Sequence, residues 1–246
     1  MSEPETASQA RRSHPNWHQP TLLHGKHGIP MRLHNILSYT ATLVIFPVVA
    51  VFSHSGSFER LFGQPILALA TLLWMFHFAR RTAESAWLHR YSKPPAPYLG
   101  VLLEYLYYWG QGSLIAYTLS APDYSEPTTP QLALGLLLFA LAESGNAWSH
   151  FKLHRLRAPG ETAHRIPRGG PFEWVSSPHY LFEILAWWGY ALAFPCAPTL
   201  LFASLTTVML LSWGRARQRS YLREFDGQDG RELYPPQRRA VVPWVF

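Results

Sequence analysis

Hydrophobic residues form six runs along the chain, separated by polar or basic segments. The runs cover residues 33–52, about 61–79, 99–119, about 130–148, about 180–197 and 199–213. A helix needs roughly 20 apolar residues to cross a bilayer, so only the sixth run is clearly short. Pro195 and Pro198 place a turn between the last two runs, which could instead pack as a short helical hairpin. None of the runs alternates with period two, so we predict an all-α, multi-pass transmembrane bundle of about six spans.

Basic residues are distributed unevenly about these runs. If both ends are cytoplasmic, the cytoplasmic tails and loops hold all but one of the 21 Lys and Arg residues, and Arg60 is the exception. The positive-inside rule then predicts cytoplasmic termini. Residues 1–32 are polar, rich in Pro and His, and without periodicity, so we expect a mobile cytoplasmic tail before a membrane domain over 33–246.

Composition supports a membrane protein. Charged residues make up 15% of the chain, against roughly 25% in soluble domains, while hydrophobic residues make up 48%. The net charge of +6 therefore reflects cytoplasmic loops, and we expect no nucleic-acid partner. The single cysteine, Cys196, can form no disulfide within the chain and no cysteine-based zinc site.

Four ionisable side chains lie inside predicted spans. They are His77, Glu104, Glu143 and Glu183. Charges at these depths are costly, so such residues are usually functional or paired between helices, and for Glu104 and Glu143 both interpretations stay open.

The end of the fourth span carries a polar stripe. Glu143, Asn146, His150 and His154 follow at steps of three and four residues, and Arg157 continues the same face. Asn and Arg side chains suit a phosphate-bearing ligand, although a solvated helix end gives the same pattern. His150 and His154 have the spacing of a metal-binding pair, but this single box does not lead us to expect a metal.

The following loop contains a flexible glycine pair. Gly169 and Gly170 permit close approach of the backbone to a ligand. No strand–GxGxxG–helix unit occurs, so a nucleotide would have to be held by the bundle and its cytoplasmic loops.

The region from this loop into the fifth run resembles a known family. Residues 166–180, IPRGGPFEWVSSPHY, are followed by Glu183 and by WWGYA at 187–191. This pattern is similar to the C-terminal domain of the steroid 5α-reductase superfamily, which includes steroid 5α-reductases, polyprenol reductase and very-long-chain trans-2-enoyl-CoA reductases. Members reduce an activated double bond with NADPH.

Several shorter blocks resemble the enoyl-CoA branch. They are HFARR at 77–81 with His89 and Arg90, YYWG at 107–110, Gly145-Asn146 with His150, RSYLREF at 219–225 and YPP at 234–236. The sequence departs from the family pattern in four ways. Enoyl-CoA reductases usually carry an N-terminal ubiquitin-like domain, whereas this sequence shows a short tail. Steroid reductases carry a Gln-Glu pair that is missing here, and a Tyr where Phe78 stands. His179 stands where the enoyl-CoA branch usually has Asn.

The resemblance implies an NADPH-dependent reductase, with trans-2-enoyl-CoA reduction in very-long-chain fatty acid elongation as the expected activity. The family's tyrosine falls on Tyr180, which becomes the expected proton donor, while Arg80 would meet the thioester or a phosphate. Cofactor-binding positions, within a part covering about 143–246, fall on Asn146, His150, Arg157, Arg165, Glu183, Arg219 and Tyr221, with His89 and Arg90 at the adenosine end.

Two alternatives remain open. One is a steroid 5α- or polyprenol-type reductase of the same superfamily. The other is a membrane methyltransferase acting on isoprenylcysteine or phospholipid, but such enzymes carry consecutive glutamates where Arg219 is followed by a single acid, Glu224. We expect a lipid-like substrate (acyl-CoA, sterol or polyprenol), contact with membrane lipid and association with lipid-elongation enzymes. The membrane would be the endoplasmic reticulum in a eukaryote or the inner membrane in a bacterium.

Overall fold

The computed structural model describes residues 28–55, 58–91, 94–158, 161 and 164–246. The predicted tail over 1–32 therefore lies mostly outside the described residues. Within the described part, the α-helices are α1 (Met31–Phe52), α2 (Phe58–Gly63), α3 (Pro65–Ala83), α4 (Tyr98–Tyr105), α5 (Gln111–Leu119), α6 (Thr129–Arg155), α7 (Pro178–Ala193) and α8 (Ala197–Glu224).

The prediction of an all-helical fold is confirmed, since the described residues form no strand and only isolated bridges such as Val175 with Arg239. Three of the described helices, α1, α6 and α8, are long and apolar enough to cross a membrane. Helix α7 has 16 residues, which at about 1.5 Å per residue spans only about 24 Å.

The helices begin and end close to the predicted runs where proline marks the boundary. Pro65, Pro130, Pro178 and Pro198 each stand in the first turn of a helix, where their missing N–H costs nothing. Two single-turn π-helical segments were not predicted. Glu84–Leu88 extends α3, and Leu106–Gly110 joins α4 to α5.

Trp74 of α3 lies at the centre of the apolar core and is fully buried. Aromatic rings from four helices surround it at centroid distances between 4.7 and 5.9 Å: Phe46, Phe78, Trp187, Tyr190 and Phe202. Offset and edge contacts of this kind add to the burial of apolar area. The core therefore fixes α1, α3, α7 and α8 against one another.

Helices α6 and α7 approach closely because glycine stands at their contacts. A Cβ atom on Gly189 would lie 2.6 Å from the backbone nitrogen of Phe139, and one on Gly135 would lie 2.4 Å from that of Ala193. Small residues allow such approach between membrane helices. This packing brings the polar stripe of α6 against the start of α7.

The segment after α8 returns to the loop before α7. Arg239 donates its backbone N–H to Trp174, and Ser176 donates to Arg239, at 2.9 and 2.7 Å. The buried Arg238 donates to the carbonyl of Pro167 at 2.7 Å and to Glu173 at 2.9 Å. The backbone N–H of Gly169 and the Arg238 guanidinium lower the pKa of Glu173.

Candidate active site

Charged and polar side chains of α3, α6 and α7 meet at one end of the aromatic core. Glu84 joins them from the end of α3, where the π-helical turn begins. The members of this polar cluster are His77, Arg80, Arg81, Glu84, His89, Glu143, Asn146, His150, His179 and Glu183. Buried charges must be paired to be tolerated, so the contacts among them determine what the cluster can do.

His77 links two carboxylates. Its Nδ1 lies 2.6 Å from Glu143 Oε1, and its Nε2 lies 3.2 Å from Glu183 Oε1. Both acceptors are satisfied when the ring carries a proton on each nitrogen. His77 therefore joins α3 to α6 and α7 through charged groups.

Arg80 is held on three sides. Its Nε donates to Glu143 at 2.9 Å, and its Nη1 donates to Asn146 Oδ1 at 2.9 Å and also to Glu84. Its Nη2 is buried and has no hydrogen-bond partner among the described residues. One face of this fixed guanidinium thus keeps an unused donor.

Asn146 of α6 is hydrogen-bonded to two groups of α7. Its Nδ2 donates to the carbonyl of His179 at 2.7 Å and to Glu183 Oε2 at 3.0 Å, while its Oδ1 accepts from Arg80. Asn146 therefore orients the Glu183 carboxylate and the start of α7 rather than standing free in the cluster.

Glu84, His89 and His150 place their ligand-bearing atoms within 4.8 Å of one another, as in a metal site. The Arg81 guanidinium already contacts two of these three residues. Its Nη1 donates to Glu84 at 2.7 Å and lies 3.3 Å from both ring nitrogens of His150. Burial, Arg81 and Arg80 lower the pKa of His89 to about 3. This surrounding positive charge disfavours a bound cation and favours an anion.

A cavity of about 70 Å³ adjoins the cluster. Its polar lining consists of Arg81, Asn146, His150, His179 and Glu183. Most of the other lining side chains are aromatic and come from α1, the π-helical segment Leu106–Gly110, α7 and α8. Its aromatic lining consists of Tyr39, Tyr107, Tyr108, Tyr180, Trp187 and Trp213. The volume is too small for a dinucleotide or a lipid, so either ligand would require the walls to move apart.

Tyr180 lines this cavity beside the polar cluster. Its ring stands 4.3 Å from the ring of His179, and the Arg217 guanidinium lies 5.8 Å above its centroid. Arg217 also lies beside Tyr221, and its Nε is buried without a hydrogen-bond partner among the described residues. Sequence reasoning treated Arg217 only as one of many cytoplasmic basic residues.

The structure brings together part of the predicted site. Arg80, His89, Asn146, His150 and Glu183 meet in the polar cluster, and Tyr180 lines the cavity. Sequence reasoning named His77, Glu143, Arg81 and His179 without assigning them to the site, and it did not name Glu84. Only tertiary contacts distinguish these residues as members of the cluster.

The remaining predicted residues lie outside the cluster. Arg157 donates to the carbonyl of Arg90 at 3.2 Å, and the exposed Arg165 pairs with Glu161 at 2.7 Å. Tyr221 stacks on Tyr234 with ring centroids 5.3 Å apart. Arg219 is exposed on the outer face of α8. Their assignment to a cofactor stays a prediction.

The chain is similar in sequence to known proteins. The family described as 3-oxo-5-alpha-steroid 4-dehydrogenase matches residues 95–246. A probable very-long-chain enoyl-CoA reductase of Caenorhabditis elegans is 28% identical over 219 residues, which cover 85% of this chain and 69% of that protein. The 3-oxo-5-alpha-steroid 4-dehydrogenase 2 of Rattus norvegicus is 34% identical over 232 residues, covering 91% of this chain and 87% of that protein.

Proposed function

The chain belongs to the 3-oxo-5-alpha-steroid 4-dehydrogenase family and is an oxidoreductase acting on CH–CH groups, and we propose that it reduces a trans-2-enoyl-CoA with NADPH. The observation that supports this proposal is the position of Tyr180, which lines the cavity beside the polar cluster and lies under the Arg217 guanidinium. Relatives named very-long-chain enoyl-CoA reductase support the choice of substrate.

The polar cluster and the arginines beside it offer unused hydrogen-bond donors to the two ligands, the dinucleotide and the thioester. Buried donors without hydrogen-bond partners in the described chain occur on Arg80, Arg90 and Arg217. Such donors are costly unless a ligand accepts from them. Arg157 and Arg165 lie on the adjoining cytoplasmic loop and would meet the phosphates as the walls separate, while Glu183 would hold the nicotinamide amide.

Reduction adds a hydride to Cβ of the enoyl thioester and a proton to Cα, which gives the saturated thioester. NADPH supplies the hydride. Tyr180 gives its phenolic proton to Cα, and the neighbouring Arg217 stabilises the phenolate that remains. Arg80, fixed by Glu143 and Asn146, directs its unused Nη2 donor at the carbonyl oxygen where negative charge develops.

The aromatic wall of the cavity suits the apolar part of the substrate. Trp187, Trp213 and Tyr108 offer flat surfaces on which an acyl chain or a ring system can pack. A steroid or polyprenol substrate therefore remains the second candidate, supported by the steroid 4-dehydrogenase relatives. The relatives described above are named as reductases or dehydrogenases, not as methyltransferases.

We further propose that the chain crosses the membrane six times with cytoplasmic ends. The basic segregation of the sequence supports an even number of spans, because three spans alone would place the two ends on opposite sides. The enzyme would act in the endoplasmic reticulum of a eukaryote or the inner membrane of a bacterium, beside other enzymes of acyl-chain elongation.

Activity is tested by following NADPH oxidation with detergent-purified protein and a long-chain trans-2-enoyl-CoA, a 3-oxo-4-ene steroid or a polyprenol. We expect turnover with the enoyl-CoA. Tyr180→Phe should lower kcat by about 10²–10⁴-fold, the usual contribution of a proton donor. Tyr107→Phe, which removes a phenol from the same cavity, is the matched control. Binding of S-adenosylmethionine without NADPH oxidation by any substrate would reject the proposal.

A further inference from the structure

A second concave surface lies on the outer face of α8. This α8 groove, about 460 Å³ in volume, is lined by Val208, Leu211, Arg215, Arg219 and Phe246, among others. The cavity beside the polar cluster uses Thr206, Met209, Leu210 and Trp213 of the same helix. At 100° per residue these two sets occupy opposite faces, so the α8 groove is separate from the candidate active site.

The polar end of the α8 groove carries two arginines without carboxylate partners. Arg215 and Arg219 are one helical turn apart, both are exposed, and neither forms an ion pair with a described residue. Arg215 instead lies over the ring of Phe246 at 4.1 Å. Arg165, Arg168, Arg231 and Arg238, by contrast, each pair with a carboxylate.

The other end of the α8 groove is apolar. Val208 is 69% exposed, and Leu211 continues the same surface. Both belong to the apolar part of α8, a candidate membrane span that becomes basic from Arg215 onward. The groove therefore crosses the boundary at which a lipid acyl chain gives way to its headgroup.

We propose that the α8 groove binds an anionic phospholipid. The lipid phosphate and any further headgroup acid would contact Arg215 and Arg219, while an acyl chain would lie along Val208 and Leu211. The two charges match an anionic headgroup and give no comparable advantage to a zwitterionic one. This assignment separates Arg219 from the dinucleotide and makes it a lipid-binding residue.

Native mass spectrometry of the detergent-purified full chain tests this proposal. Phosphatidylglycerol and phosphatidylcholine would be titrated against wild type, Arg215→Gln/Arg219→Gln and the control Arg155→Gln/Arg223→Gln. The control removes two exposed arginines from the basic ends of α6 and α8, outside the groove. Thermal unfolding of each variant would show that the fold is kept.

We expect wild type and control to bind phosphatidylglycerol in preference to phosphatidylcholine, and the groove variant to bind it about tenfold or more weakly. NADPH affinity, measured on the same samples, should be equal in the three proteins. An equal loss of lipid binding in both variants would show a diffuse charge effect and overturn the proposal. A loss of NADPH affinity confined to the groove variant, with lipid binding kept, would overturn the proposal and support Arg219 as a cofactor-binding residue.

Discussion

Arg80 and His77 depend on one shared carboxylate of the polar cluster. Glu143 accepts from His77 at 2.6 Å and from Arg80 at 2.9 Å, and it is 4% exposed. Its removal would leave two buried groups short of an acceptor. The charged residues of the cluster therefore depend on one another for their hydrogen-bond partners, and each contacts a different set of neighbours.

Glu143→Gln should therefore destabilise the protein by about 3–5 kcal/mol, the usual cost of breaking a buried charge pair. The measurement is thermal unfolding in detergent. Glu126→Gln, in the exposed loop before α6, is the matched control and should leave the midpoint unchanged. Equal midpoints for both variants would show that Glu143 is not needed for the charge balance.

His89 should make stability depend on pH. Its pKa of about 3 in the folded chain lies below the ordinary histidine value of roughly 6.5. Between these pH values His89 is protonated in the unfolded chain and neutral in the folded chain. The contribution of His89 to the free energy of unfolding therefore falls as pH is lowered from 7 to 5. His89→Gln should reduce that slope, measured as thermal midpoint against pH. A slope unchanged by His89→Gln would contradict the assignment.

Helix packing sets the spacing within the cluster. The close contact of α6 with α7 depends on Gly135 and Gly189, and it brings Asn146 within 3.0 Å of Glu183. Glu84 lies at the end of α3, one turn after Arg80. The π-helical turn that follows leads to His89, whose backbone N–H donates to the Glu84 carbonyl at 2.8 Å. Two glycines and one π-helical turn therefore determine where the charged residues of these helices lie.

Gly189→Ala should separate α6 from α7, because its Cβ would lie 2.6 Å from backbone atoms that cannot move independently. Overpacking of this kind costs about 1–3 kcal/mol, and we expect lower stability together with weaker NADPH binding. Gly110→Ala is the matched control, since its Cβ would meet nothing within 4 Å. If both variants keep wild-type stability and affinity, the α6–α7 contact does not position the site.

Three described helices satisfy the length and hydropathy of a membrane span. The six hydrophobic runs, together with the distribution of basic residues, predict six crossings. Helix α3 and the helical segment running from α4 through α5 carry glutamate, histidine or arginine within them. Among their polar side chains, His77 is buried, and Glu104 pairs with His34 of α1 at 2.9 Å. Apolar outward faces such as Leu102 and Leu106 would still meet lipid.

Cysteine labelling in sealed membrane vesicles of known orientation distinguishes these topologies. In a Cys196→Ser background, six spans predict that Ser125→Cys reacts with a membrane-impermeant maleimide from the non-cytoplasmic side and Gln228→Cys only from the cytoplasmic side. Both positions are exposed in the structure. Reaction of both from the non-cytoplasmic side would instead indicate three spans.

The helical class, the positions of the apolar runs and the family could be predicted from the sequence, because hydrophobic patterning and short motifs are local properties. The run over 33–52 located α1 within two residues, since the helix covers Met31–Phe52. The continuation of α8 to Glu224 was missed, because a basic solvated helix has no apolar signal. Which charges share a site depends on tertiary contacts. The partners Arg80 and Glu143 are distant in sequence, and the opposite faces of α8 separate Arg217 from Arg219 through the packing of that helix on its neighbours.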